Sequence, residues 1–261
     1  MTNEILQSIN NEILTITINR PKKKNALTAS MYNQLTAALF GAEGNPQVNC
    51  VILTGANDCF SAGNDLMDLM ETATDNFEQS AIGQFLDMLC HFTKPVIVAI
   101  EGYAIGIGVT MLLHCDLVVA AEDANFQLPF VNLGLCPEAA SSLLLPKLIG
   151  PHKAAEWLML GEPFSATEAL EAGLINRIVR SGNALNEAIS MAERLLDQPS
   201  NALRLTKQLL KRHQAQQVEE VMRIEATLFF DRLNSTEAEE ALQAFMEKRQ
   251  TNFRITRNSQ I

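Results

Sequence analysis

From residue 12 to 19, Leu14, Ile16 and Ile18 alternate with Thr15 and Thr17. This period of two predicts a strand with one face buried, ended by Arg20-Pro21 and three lysines. Apolar runs at 48–53, 96–100 and 117–121 are rich in β-branched residues and bounded by Gly, Asp or Pro. They predict strands covered on both faces. Helical spacing fills the intervals at 30–40, roughly 77–91, and 108–114. Strand and helix in alternation predict a layered α/β architecture, whose strand ends offer loops for a ligand.

Beyond about residue 181 the pattern turns almost wholly helical, over 184–196, 202–216, 218–230 and 236–249. Thr236 with Glu239 has capping-box spacing, as has Ser165 with Glu168. Two apolar stripes, Val221/Ile224/Leu228 and Leu242/Phe245/Met246, exceed what a small appendage buries within itself. These helices are expected to pack on the main body or on another subunit.

A chain of 261 residues, 47% hydrophobic and 19% charged, can bury a sizeable core. Its net charge of −10 argues against a general nucleic-acid binder, so an anionic ligand must meet a local basic patch. Five cysteines without a CxxC pair suit free thiols in a reducing compartment. Residues 1–10 hold no basic stretch followed by an apolar run, and a cytoplasmic protein is expected. The apolar stretch 95–113 contains Glu101, Gly102, Gly106 and Gly108, so it reads as strand, loop and helix, not as a membrane span.

Three segments concentrate glycine where strands give way to helices. They are Phe60-Ser61-Ala62-Gly63-Asn64-Asp65-Leu66, Gly102-Tyr103-Ala104-Ile105-Gly106-Ile107-Gly108 and Leu133-Gly134-Leu135-Cys136-Pro137-Glu138. In the second, free amides opening a helix suit a ligand oxygen, although such a turn needs glycine for packing alone. In the third, Pro137 suits the first turn of a helix, which places Glu138 near its N-terminus. The apolar neighbours Leu135, Cys136, Ala139 and Ala140 favour a raised pKa, and the helix dipole opposes it. Rival signatures are missing: no GxSxG, HExxH, P-loop or GxGxxG occurs. Adjacent residues do not face one another, which sets aside His114-Cys115-Asp116 as a nucleophile site.

Taken together and in order, these segments resemble the enoyl-CoA hydratase/isomerase (crotonase) superfamily over nearly the whole chain. The opening Ile16-Thr17-Ile18-Asn19-Arg20-Pro21 and Asn25-Ala26-Leu27 look like its first strand and CoA-proximal turn. The resemblance implies a crotonase-like spiral of ββα units over 1–195, followed by a helical region over 196–261 for oligomerisation and for completing the CoA site. It implies oxyanion donors at the backbone amides of Asn64 and Ile107. The positions of the two water-activating hydratase glutamates fall on Thr110 and Phe130, neither of which can act as a base.

Glu138 instead resembles the glutamate of the peroxisomal-type Δ3,Δ2-enoyl-CoA isomerases, a subgroup also matched by Gly63-Asn64-Asp65-Leu66 and Val109-Thr110. The implied reaction shifts the double bond of a 3-enoyl-CoA to the 2-position, with Glu138 as general acid and base. Coenzyme A and its acyl group would be held by backbone around Ala62, Gly63, Asp65, Leu66 and Gly106, by Lys24 and Ala26, by Thr110 and Phe130, and by Phe245 and Lys248 of the terminal helix. No metal or redox cofactor is implied, and coenzyme A is part of the substrate. A homotrimer or dimer of trimers is expected, without nucleic-acid or membrane partners. The alternatives are another acyl-CoA enzyme of the superfamily, hydratase-like, and a non-catalytic acyl-CoA-binding module. The end, Asn258-Ser259-Gln260-Ile261, does not read as a peroxisomal address.

Overall fold

The protein is described from a computed structural model, over residues 3–72 and 77–253. The tetrapeptide 258–261 and the last part of the 196–261 region lie outside these residues. The chain begins with β1 (Ile5–Asn10), β2 (Ile13–Ile18), α1 (Ala29–Gly44), β3 (Cys50–Gly55), α2 (Leu66–Thr72) and α3 (Ala81–His91). It continues through β4 (Val96–Ile100), β5 (Tyr103–Ile105), α4 (Ile107–Thr110), β6 (Leu117–Ala121) and β7 (Asn125–Gln127). Next come α5 (Ser141–Ile149), α6 (Pro151–Leu160), β8 (Phe164–Ser165), α7 (Ala166–Glu171) and β9 (Arg177–Val179). The helices α8 (Ala184–Leu196), α9 (Ser200–Arg212), α10 (Ala215–Leu233) and α11 (Thr236–Met246) follow.

One sheet runs in the order β1-β2-β3-β4-β6-β9, parallel except for the β1–β2 hairpin. A smaller sheet, β5-β7-β8, stands beside it. Alternation along the central strands divides the core as the pleat requires. Val51 and Leu53 of β3 and Val96, Val98 and Ile100 of β4 face the main core, shared with α1 and α3. Cys50, Ile52, Ile97 and Ala99 face the other way, against α8. Both faces are therefore covered, which explains the unbroken apolar runs.

Several expectations shift by a turn. The predicted helix 77–91 is a 3-10 turn, Phe77–Gln79, followed by α3, whose N-cap Ser80 accepts from Gly83 N at 3.0 Å. That over 108–114 divides into α4 and a 3-10 turn, Met111–His114. Ser165 and Glu168 form the expected capping box, whereas α11 is capped by Ser235 in place of Thr236, its Oγ accepting from Ala238 N at 3.2 Å.

The two late apolar stripes are only partly covered within a single chain, where Val221 packs against the main core and Leu242 is half-buried. Ile224, Leu228, Phe245 and Met246 are all more than half exposed. α10 buries Val218, Met222, Ala226, Phe229, Phe230 and Leu233, and α11 buries Ala238, Ala241 and Ala244. Small alanines let α11 approach closely. Among the described residues no helix is long and apolar enough to cross a membrane.

Lys207 on α9 ties the helical region to the sheet. Its buried ammonium donates to the Lys94 carbonyl at 2.6 Å and to Asp116 Oδ2 at 2.7 Å. The same Asp116 oxygen accepts from Val96 N at 2.7 Å, where β4 begins. Removing one partner of a buried pair leaves the other charge uncompensated. Lys207→Met is expected to lower unfolding free energy by roughly 3 kcal/mol in urea titration, and an unchanged midpoint would contradict this role.

Candidate active site

The first two glycine segments are stitched together. Ser61 pairs with Ala104 in a parallel bridge, its amide donating to Tyr103 O at 2.9 Å and its carbonyl accepting from Ile105 N at 3.0 Å. Gly63 has φ +88°, and a Cβ there would stand 2.8 Å from the Ile105 carbonyl oxygen. A side chain at this position would push the loops apart.

Two amides are left over from this arrangement. Leu27 bridges to Asn64, but the bonds run through the Gly63 carbonyl and the Asp65 amide, each at 2.8 Å. The Gly106 carbonyl takes the amides of Val109 and Thr110 at 2.9 and 3.0 Å. Ile107, first residue of α4 and fully buried, has an amide with no partner among the described residues, as has Asn64. A buried donor without an acceptor, as at Ile107, is costly unless a ligand supplies one, while Asn64 is half-buried.

The third segment departs from expectation. Helix α5 starts at Ser141, because Ala139 and Ala140 adopt left-handed conformations with φ 59° and 55°. Pro137 and Glu138 thus precede a tight turn and are not in a first helical turn. Ser141 fastens that turn, donating to the Glu138 carbonyl from N at 3.0 Å and from Oγ at 2.6 Å. His114 Nε2 donates to the Ala139 carbonyl at 2.8 Å; its ring is buried and pushed down to about 4, hence neutral. The Ser142 amide at the start of α5 donates to Glu225 Oε1 at 2.8 Å, so the helix N-terminus serves a different carboxylate.

Glu138 is 5% exposed. Its cavity is lined by Leu69, Phe77, Ile82, Met222, Ala226, Phe229 and Phe230. Burial pushes its carboxyl up to about 8, because the charged form loses hydration. A hydrogen bond from Thr110 Oγ1 at 3.2 Å pulls it down and the charge of Glu225 pushes it further up. The competition between apolar surroundings and helix dipole is thereby decided in favour of burial.

A second small cavity is lined by Tyr32, Asn64 and Asp68 and shares Leu69, Ile82 and Phe230 with the first. The Tyr32 hydroxyl, buried beside it, donates to Asn64 Oδ1 at 2.5 Å. Burial, then the nearby Glu138 and Asp68 carboxylates, hold that phenol well above its ordinary pKa. A groove of about 470 Å³ lies beyond Phe77 and Met222, between α1, α3 and α10.

Of the residues singled out from sequence, Asn64, Gly63, Gly106, Ile107, Thr110 and Glu138 come together through these contacts. Ala62, Lys24, Ala26 and Asp65 form the adjoining rim. Ala62 N donates to the Lys24 carbonyl at 2.9 Å, and Arg20 Nη1 reaches Ala26 O at 3.1 Å and Asp65 Oδ2 at 2.7 Å. Burial disfavours the Asp65 charge, yet Arg20 and two α2 amides hold its carboxyl below the usual range. The Lys24 ammonium stands 4.7 Å from the centre of the Tyr103 ring. Leu66 is half-buried at the start of α2, and Phe130 is buried ahead of the turn Val131–Leu133. Phe245 and Lys248 are exposed at the end of α11, which packs on that turn and on α10, and they are not brought to the Glu138 cavity.

Tyr32 and the α10 residues were not legible as site residues. Tyr32 reads as one more apolar position of α1, and α10 meets the site across the length of the chain. His114-Cys115-Asp116 holds no nucleophile: burial pushes the Cys115 thiol up to about 12, and Asp116 is engaged by Lys207.

The sequence profile of the enoyl-CoA hydratase/isomerase family matches residues 8–256. The chain is 34% identical over 251 residues to enoyl-CoA delta isomerase 2 of Rattus norvegicus, covering 94% of this chain and 64% of that protein. It is 31% identical to mitochondrial enoyl-CoA hydratase of Pongo abelii, covering 94% of this chain and 84% of the relative. Among solved structures, an enoyl-CoA hydratase/isomerase from Pseudoalteromonas atlantica superposes with a TM-score of 0.91 at 37% identity, over 96% of this chain and all of that one. The chain belongs to the enoyl-CoA hydratase/isomerase family and has the crotonase fold. It spans just under two-thirds of the rat relative's length.

The raised Glu138 carboxyl links stability to pH. Below the ordinary carboxylate range both folded and unfolded forms hold the proton. Between there and about pH 8 the folded protein keeps a proton that the unfolded chain releases, so stability falls as pH rises through that window. Glu138→Gln, which cannot titrate, is expected to be less sensitive, gaining on the order of a few kcal/mol over the parent at pH 9 relative to pH 5. Parallel stability curves for the two proteins would refute the upward shift of the Glu138 carboxyl.

Proposed function

We propose that the protein moves the double bond of a 3-enoyl-CoA thioester to the 2-position, with Glu138 as the proton-transfer group. The observation that carries this reading is the buried Glu138 carboxyl, pushed up to about 8, in a site where the positions aligned with the hydratase glutamates are Thr110 and Phe130. A general base works best when its pKa lies near the working pH, and Glu138 meets that condition.

The thioester oxygen accepts from the amides of Asn64 and Ile107, which have no other partner among the described residues. Polarised in this way, the carbonyl acidifies the C2 hydrogen. The Glu138 carboxylate takes that proton, and the electrons of the C2–H bond spread over the oxygen, C2 and C4 as a dienolate. The neutral acid then returns the proton to C4, leaving the double bond between C2 and C3 and the carbonyl restored. Only a proton changes place, so no redox partner is required. An apolar cavity assists the first half-step, since it disfavours the charged base, and it excludes competing water from the dienolate.

The rim of Lys24, Ala26, Ala62 and Asp65 takes the coenzyme A portion. Phe245 and Lys248 serve the site of a neighbouring copy in a trimer or pair of trimers, a role that suits their exposure at the end of α11.

Purified protein is expected to isomerise 3-enoyl-CoA and to hydrate 2-enoyl-CoA poorly. Below about pH 8 its kcat/KM should fall tenfold per pH unit, since that ratio reports the free enzyme's base. Glu138→Gln should lower isomerisation by about 10² to 10⁴ while keeping the fold. A folded variant that binds acyl-CoA and isomerises at the parent rate would sink the mechanism, and vigorous hydration by the parent would sink the reaction class.

A further inference from the structure

Helix α10 grips the turn that carries Glu138 at both ends. Near one end, Arg232 Nε donates to the Gly134 carbonyl at 2.9 Å. Gly134 has φ +69°, and a Cβ there would lie 2.7 Å from Ala238 N, so the chain is pinned against α11 as well. At the other end Glu225 accepts from Ser142 N at 2.8 Å, and its backbone carbonyl lies 3.9 Å from Cys136 Sγ. Met222, Ala226, Phe229 and Phe230 of the same helix form the wall over Glu138.

Glu225 itself is 5% exposed, and its second oxygen, Oε2, is the buried side-chain polar atom left without a partner among the described residues. An ionisable group is expensive to hide in this way. A helix tie alone requires one acceptor, which a serine or asparagine supplies; a second carboxylate beside the first calls for a further reason.

We propose that Glu225 is a positioning residue for Glu138: it fixes the Glu138 turn from α10 and, as a neighbouring buried carboxylate, makes the two groups titrate as a coupled pair that sets the basicity of Glu138. This rests on the reading of Glu138 as the proton-transfer group. Two carboxylates in one dry region oppose each other's ionisation, and the proton affinity of each then depends on the other. Burial pushes the Glu225 carboxyl above its ordinary range, against the amides around the start of α5, Ser142 most directly, which favour its charged form. The charge on Glu225 in turn acts on Glu138. The like charge and much of the wall over Glu138 come from α10, so the strength of the base depends on that helix being seated.

The other groups around the pair leave this assignment standing. From the turn Met111–His114, His114 faces the Ala139 carbonyl as a neutral ring. From α1 and α2, Tyr32 is a phenol held protonated and Asp68 acts on Tyr32. Thr110 of α4 donates to Glu138. Cys136 is a thiol pushed up to about 11, chiefly by burial. Arg232 is engaged by the Gly134 carbonyl and by Glu237.

The test is a carboxyl ¹³C NMR titration of the full-length protein labelled at glutamate, with Glu138 assigned by its loss in Glu138→Gln. In Glu225→Gln, which keeps an acceptor for Ser142, the Glu138 titration is expected to move to lower pH, and the acid limb of kcat/KM for 3-enoyl-CoA to move with it. A purely structural tie would lower the rate at every pH and leave both midpoints in place, and that result would overturn the proposal. Glu225 loses its proton while Glu138 is still neutral, so in the parent the Glu225 carboxyl signal must show a second, smaller step at the Glu138 midpoint, which Glu138→Gln removes; this reading is available even if Glu225→Gln does not fold. A Glu225 signal without that second step would overturn the proposal equally. A protein that shows these couplings but does not isomerise 3-enoyl-CoA would overturn the functional reading while upholding the coupling, so the two failures are distinguishable.

Discussion

The withdrawal of the Glu138 carboxyl from water is the constraint on which the site depends. A carboxylate prefers water strongly, and a chain that buries one must hold it by force of packing. Here the packing comes from both ends of the sequence. Leu69 and Ile82 belong to the first third of the chain, Met222, Ala226, Phe229 and Phe230 to α10, and the turn bearing Glu138 lies between them. The main core must be complete before the cavity exists.

Around that carboxyl the backbone is arranged with equal specificity. Gly63 is pressed against Ile105, Ser61 is bridged to Ala104, and the amides of Asn64 and Ile107 are left without acceptors. Such free donors are a cost to the unliganded fold that a carbonyl oxygen removes on binding. Thr110, one turn along α4 from Ile107, links this backbone site to Glu138. The donor amide and the hydroxyl that binds the base therefore share one short helix.

Much of this was legible in the chain itself. The strands over 96–100 and 117–121 and the helix over 184–196 fall on β4, β6 and α8, because short β-branched apolar runs and a marked helical stripe signal elements buried in or on a sheet. β1 escaped notice since it buries Ile5 alone and exposes its remaining residues, an edge strand without alternation. The start of α5 was misplaced because Ala139 and Ala140 take left-handed conformations that alanine rarely adopts, and no local residue signals them. Glu225 is not legible as a buried residue, because a helix pattern expects an apolar side chain at such a position. Its partner, the Ser142 amide, lies 83 residues away, and no sequence spacing reveals such a contact. Tyr32 was hidden for the opposite reason, since its ring packs as an ordinary core aromatic 5.4 Å from Phe85 while its hydroxyl reaches Asn64.

The central claim is that a buried carboxyl and two free amides act on one acyl thioester. A crystal structure with a bound, unreactive 3-enoyl-CoA analogue tests it most directly. The account predicts the thioester oxygen within hydrogen-bond distance of the amides of both Asn64 and Ile107, with the Glu138 carboxyl alongside C2 and C4. An acyl chain that leaves those amides unpaired, or that runs with Glu138 out of reach of both carbons, would contradict it.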